Sequence, residues 1–220
     1  MAIRRAEEAN VYTDGRERYT KNLVPGVAVY GEPLVREGGV EYRLWDPHRS
    51  KLAAYLQLGG TEFPFSSSSR VLYLGAASAT TVSHLSDICE AGSIYAVEFS
   101  RRVFDKLLQV ATRRPNLLPI LADAAKPEAY RNVVGGSVDA VYQDLAQPEQ
   151  DAIFLRNLEF LRPGGLGFLA IKARSVDVSA RPSEVFEATR RALEQSGCRE
   201  LDVRSLHRFQ KDHAMVVVDR

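Results

Sequence analysis

A chain of 220 residues is long enough for one α/β domain with a modest appendage and too short for two full-sized domains. Hydrophobic residues at 45% and charged residues at 26% match soluble globular usage and exclude a disordered, collagenous or coiled-coil chain. A net charge of +1 does not by itself point to nucleic acid, and no apolar run reaches the length of a bilayer, so no membrane is expected among its partners.

The opening stretch, MAIRRAEEANVYTDG, lacks the apolar centre of a secretory signal. Two widely separated cysteines, Cys89 and Cys198, make neither a disulfide framework nor a cysteine zinc site, and a reducing, cytoplasmic setting is expected. Residues 1–46 read as a small N-terminal β subdomain. Within it GVAVYG (26–31) and GVEYRLW (39–45) alternate apolar with polar residues between Gly and Pro punctuation. Residues 47–220 form the second unit. A helix running from about Asp46 stops at Gly59-Gly60, and a loop follows whose Phe63 and Phe65 are expected to be exposed, for docking a protein.

A repeating alternation comes next. Strands are expected at 70–75, 93–99, 117–123, 137–144 and 165–173, with helices at 78–89, 101–114, 127–134, 148–161 and 183–197. Residues 163–165, Pro-Gly-Gly, are read as a turn. Two closing strands with no helix between them, within 200–209 and 213–219, form an antiparallel hairpin at one edge. The whole is a mainly parallel, Rossmann-like sheet covered on both faces. Helix 101–114 carries Arg101, Arg102, Lys106, Arg113 and Arg114, which read as a solvated face, with an RNA-facing edge as the alternative.

Open parallel sheets bind ligands beyond the carboxyl ends of their strands. Those ends are polar here: Gly75, Glu98, Asp123, Asp144 and Lys172. A Gly-bearing turn at Gly75-Ala76 with Glu98 closing the second strand suits a nucleoside whose ribose hydroxyls are held by a carboxylate. The turn GAASAT is not G-x-G-x-x-G, since Ala77 stands where a pyrophosphate needs Gly. S-adenosylmethionine, a nucleoside cofactor without phosphates, fits better, and Asp123-Ala124 could reach its adenine. Histidines 48, 84 and 207 have no metal-ligand spacing, so no metal is expected.

The stretches YRLWDPHRSKLAAYL, RVLYLGAASATTVSHLSDI, YAVEFS, DLAQPEQ, IKARSVD and KDHAMVV resemble fibrillarin in its archaeal form, over residues 41–220. The resemblance implies an S-adenosylmethionine-dependent methyltransferase fold and ribose 2'-O-methylation of ribosomal and transfer RNA. It also implies a box C/D guide ribonucleoprotein, with guide RNA, a Nop-domain scaffold protein and a kink-turn-binding ribosomal-type protein as partners. By the same resemblance Thr80, Thr81, Glu98, Phe99, Asp123, Ala124, Asp144, Leu145, Ala146 and Gln147 are cofactor contacts, beside Gly75 and Ala76 of the turn. Lys51, Asp144, Lys172 and His213 match the family's catalytic set. Ala79 departs from the family's usual Gly, which would weaken cofactor affinity if the position needs a positive φ. The family's glycine- and arginine-rich tail is missing, which again favours a cytoplasmic setting.

Methyl transfer to a ribose hydroxyl is an in-line displacement that needs alignment and removal of one proton. Lys172 is the expected base, Lys51 and the sulfonium favouring its neutral form and Asp144 opposing it. An Arg there could not serve, because guanidinium stays protonated. Lysines at 51 and 172 stand out in a chain with 29 basic residues, only six of them Lys. His213 is expected to bind the ribose or relay a proton. Near-neutral charge predicts weak RNA binding by the chain alone, so guide pairing and companions would deliver the target. The competing readings are a nicotinamide-dependent oxidoreductase, disfavoured by the G-x-A turn, and a non-catalytic assembly subunit that keeps the fold.

Overall fold

A computed structural model describes residues 2–220. Strands β1 (Arg4–Arg5), β2 (Val11–Thr13), β3 (Arg18–Lys21), β4 (Leu34–Glu37) and β5 (Val40–Leu44) make an antiparallel sheet in the order β1-β2-β3-β5-β4. Residues 26–31, expected as an extended piece, form no strand but run from a turn at Gly26 through irregular chain to a bend at 29–31. Side chains have taken their main-chain donors: Gly26 N–H donates to Glu41 at 2.6 Å, and Val29 and Tyr30 N–H donate to Glu32 at 2.9 and 2.8 Å. Such side-chain acceptors compete directly with strand pairing.

The larger unit contains α1 (Lys51–Gln57), β6 (Arg70–Leu74), α2 (Thr80–Ile88), β7 (Ser93–Glu98), α3 (Arg101–Ala111), β8 (Leu117–Leu121) and α4 (Arg131–Val134). It continues through β9 (Val138–Gln143), α5 (Gln150–Asn157), β10 (Leu161–Lys172), α6 (Ala173–Val176), α7 (Pro182–Gln195), β11 (Arg199–Ser205) and β12 (His213–Asp219). The sheet order is β11-β12-β10-β9-β6-β7-β8, parallel from β10 to β8, with β12 antiparallel to both β10 and β11. Residues 163–165 lie within β10, where the register against β9 shifts between Leu161 and Leu166, rather than in a turn before it.

Period-two alternation divides the core between the two faces of this sheet. Val71, Tyr73, Ala140, Tyr142, Phe168 and Ala170 pack with the apolar sides of α1, α2 and α3. Their neighbours Leu72, Leu74, Val141, Leu169 and Ile171 pack with α4, α5 and α7. Val11 and Trp45 of the N-terminal region join the first of these cores, so the small sheet is seated on α2. Phe65 is 1% exposed and packs near Phe168, so it is a core residue and not the exposed docking residue expected of it; Phe63 lies edge-on against it, half-buried at the margin of the core.

Beneath the small sheet lies a sealed ionic cluster. Arg43 pairs with Glu32 at 2.6 Å and Asp87 at 2.7 Å, and Arg114 pairs with Asp87 at 2.6 Å. Arg114 therefore does not share the solvated face of the basic run, whose Arg101, Arg102, Lys106 and Arg113 are exposed. Thr20 donates to Asp87 at 2.7 Å, so His84, 2.8 Å from the same hydroxyl, donates to it through Nδ1. Its Nε2 then faces the Tyr30 hydroxyl at 2.8 Å. Burial, reinforced by Arg43 and Arg114, holds the His84 imidazole well below its ordinary pKa and hence neutral.

Candidate active site

Strand order reverses about β6: β7 and β8 lie on one side of it, β9 and β10 on the other. A crevice opens at such a switch point, above the carboxyl ends of the strands. Gly75 leaves β6 there with φ 83°, and a Cβ on it would meet the Asp144 carbonyl oxygen at 2.6 Å. Only glycine lets these two strand ends close, with Asp144 N–H donating to Leu74 O at 2.9 Å.

Asp144 is gripped from two sides. Lys51 Nζ donates to its Oδ2 at 3.0 Å. Lys172 Nζ lies 2.7 Å from Oδ1 as an ion pair and donates its better-directed hydrogen bond to the Asp144 carbonyl at 3.1 Å. Burial alone would raise the Asp144 carboxyl, but the two ammonium groups outweigh it and hold the group below the ordinary carboxylate range. Lys51 is aimed by the start of α1, where Ser50 caps the helix by accepting from Ala53 N–H. The same Ser50 hydroxyl accepts from Trp45 Nε1 at 3.0 Å and Thr81 Oγ1 at 3.1 Å, which ties α1 to α2.

His213 opens β12 directly opposite Lys172 of β10. Its Nδ1 lies 2.6 Å from the Lys211 carbonyl, which can only accept, so Nδ1 carries the hydrogen and Nε2 is the free acceptor. Burial lowers its pKa; the Lys211 carbonyl opposes that, and Lys51 adds to the lowering. Lys51, Asp144, Lys172 and His213, distant in sequence, thus converge on one rim.

The expected cofactor residues lie at or just past the carboxyl ends of β6, β7, β8 and β9 and at the start of α2, and they differ in what they leave open to a ligand. Ala76 is buried in the turn, and Thr80 stands half-exposed at the start of α2. The Thr81 hydroxyl points inward to Ser50, so only its main chain remains for a ligand. Glu98 accepts from Ala77 N–H at 2.9 Å and Ser100 N–H at 2.8 Å, and each oxygen keeps a lone pair. Asp123 accepts from Ala125 N–H, while the Ala124 carbonyl accepts from Tyr130 and Asn157 inside the protein. Leu145 packs against the core, and Ala146 is exposed. Two features suit an adenosine-bearing ligand: Phe99 is 69% exposed at a strand end, and Gln147 Oε1 is a buried acceptor without a partner among the described residues.

Sequence reasoning missed the residues that brace this rim. Ser50 could have been found as the small hydroxyl residue preceding a helix. Gln143 and Gln150, both fully buried, carry no comparable signal. Ala77 and Ala79 adopt φ 46° and 71°, so the departure from glycine at 79 does fall on a left-handed residue.

The fibrillarin family profile matches residues 3–220. The fibrillarin-like rRNA/tRNA 2'-O-methyltransferase of Methanopyrus kandleri is 50% identical over 212 residues, 95% of this chain and 91% of that protein. The crystal structure of Aeropyrum pernix fibrillarin with natively bound S-adenosyl-L-methionine superposes with a TM-score of 0.90 at 48% identity, covering 100% of this chain and 98% of that one. A fibrillarin from a fibrillarin/Nop5p complex superposes with a TM-score of 0.88 at 41% identity, covering 98% and 100%.

Proposed function

The chain belongs to the fibrillarin family, and we propose that the cluster of Lys51, Asp144, Lys172 and His213 performs S-adenosylmethionine-dependent methylation of ribose 2'-hydroxyls in ribosomal and transfer RNA. The observation that carries this reading is the convergence of two lysine ammonium groups on one aspartate at the switch point of the sheet. The cofactor supplies an electrophilic methyl group. Glu98, Phe99, Asp123 and the 144–147 loop are the groups that would hold it.

The chain's own residues then have separate tasks. Asp144 fixes both lysines, so the acceptor hydroxyl meets a rigid amine and not a mobile one. Lys172 Nζ takes the hydroxyl proton once it has released its own to solvent, and the neutral Nε2 of His213 binds the ribose or passes that proton on. Lys51 keeps Asp144 ionised and balances charge as the proton moves.

A Nop-domain protein is the partner supported by the fibrillarin/Nop5p structure. Guide RNA and a kink-turn-binding protein complete the particle we propose, in keeping with a net charge of only +1, which leaves RNA capture to other components. The cytoplasm is the compartment we propose, on the two free and buried cysteines. Radiolabelled methyl incorporation by the reconstituted particle tests the assignment. Asp144→Ala should lower it by about 10²- to 10⁴-fold; undiminished ribose methylation would instead support a non-catalytic subunit.

A further inference from the structure

We propose that Gln150 is a positioning residue that holds Lys172 in register for the reaction, although it touches no reacting atom. Strand β9 pairs with β10 only as far as Gln143 opposite Leu169, whereas β12 stays paired with β10 out to His213 opposite Lys172. Ala173 N–H donates to Asp212 O at 3.1 Å, which turns the Ala173 main chain toward the β12 side. Main-chain groups alternate along a strand, so those of Lys172 face the other way, where β9 has ended. Left bare, they would be two unpaired main-chain groups at the edge of a buried sheet.

The Gln150 side chain fills that place. Its Oε1 accepts from Lys172 N–H at 2.9 Å, and its Nε2 donates to Lys172 O at 3.3 Å. One amide thus supplies the donor and the acceptor of the missing strand. Gln150 is 0% exposed, and an amide is buried so completely only when it is hydrogen-bonded. It is anchored in turn, because Gln143 Nε2 donates to the Gln150 carbonyl at 2.5 Å. Asp144 follows Gln143 directly, so segment 143–150 presents the carboxylate and also clamps the backbone of the lysine paired with it. A weaker contact, Gln150 Nε2 to Gln147 O at 3.4 Å, leads toward the cofactor loop and defines the competing explanation.

Two variants separate these. Gln150→Leu keeps the volume and removes both bonds to Lys172; Gln150→Glu keeps the acceptor and loses the donor. In the assembled particle, Gln150→Leu should lower kcat by about 10- to 100-fold, the scale of a small misplacement of a reacting group, and Gln150→Glu by less. Affinity for S-adenosylhomocysteine and KM for RNA should stay within about twofold. Wild-type kcat, or a fall in cofactor affinity as large as the loss of rate, overturns the proposal. If Gln150→Leu does not fold, Gln150→Glu carries the same comparison. The inference rests on Lys172 belonging to the active site: full activity in Lys172→Ala would break that reading, whereas an inactive Lys172→Ala beside a fully active Gln150→Leu would break only the positioning role.

Discussion

Asp87 and Asp144 each lie between two cationic side chains, and the difference between the two clusters separates architecture from chemistry. Around Asp87 the cations are arginines, the ion-paired side chains are 0–2% exposed, and Glu32 makes the charges cancel. Around Asp144 they are lysines, 14–18% of each side chain is exposed, and one positive charge is left over. Guanidinium cannot give up its proton; an ammonium can. The sealed cluster therefore fastens the small sheet to α2, and the open one, within reach of solvent, is the one suited to the proton transfer we propose.

The largest expected effect falls on the sealed side. Asp87→Ala strands two buried guanidinium groups and should cost about 3–5 kcal/mol of stability, read as a collapse of the denaturation midpoint. A loss under about 1 kcal/mol would mean that the arginines find other partners. On the open side Lys172→Arg preserves charge, yet it should reduce methyl transfer at least about 100-fold while the melting temperature and S-adenosylhomocysteine binding stay close to wild type. Full activity would exclude proton transfer through residue 172.

A third test uses pH. His84 is held neutral in the fold, with its pKa below the unfolded value of 6.5, and His213 is shifted the same way. Below pH 6.5 the unfolded chain binds protons that the native one refuses. Stability should thus be full above that pH and fall as the pH drops, by up to about 1.4 kcal/mol per pH unit for each histidine. His84→Gln should flatten the slope measured by denaturation between pH 7 and 5; an unchanged slope would remove His84 from the account. Smallest is Ala79→Gly. Relief of the left-handed strain at φ 71° outweighs the added freedom of the unfolded chain, for a net gain of about 0.5–1 kcal/mol, and cofactor affinity should rise with it. A lower melting temperature would contradict the strain argument.

The two clusters also differ in how far they could be read beforehand. Lys51, Asp144 and Lys172 sit at a helix start or a strand end, where polar residues interrupt apolar runs, and the family resemblance gathered them into one set. Arg43, Glu32, Asp87 and Arg114 look like ordinary surface charges, since periodicity cannot tell a sealed ion pair from a solvated one. Strand alternation located β5 to β12 to within a few residues. It misread residues 26–31, whose donors serve Glu32 and Glu41. The exposure of Phe65 was misjudged because a loop of one proline and four serines conceals that its ring turns into the core, with Phe63 half-buried against it.

The place of β12 has a consequence for synthesis. Residues 213–219 slot between β10 and β11, so they are the last of the sheet to be made and yet lie inside it. While a growing chain lacks them, β10 and β11 both offer open edges to other polypeptides, a state prone to aggregation. His213 arrives with that same strand. The catalytic set we propose is therefore completed in the step that closes the sheet, so a ribosome-bound chain stalled before residue 213 should be sticky and, on that proposal, inactive as well.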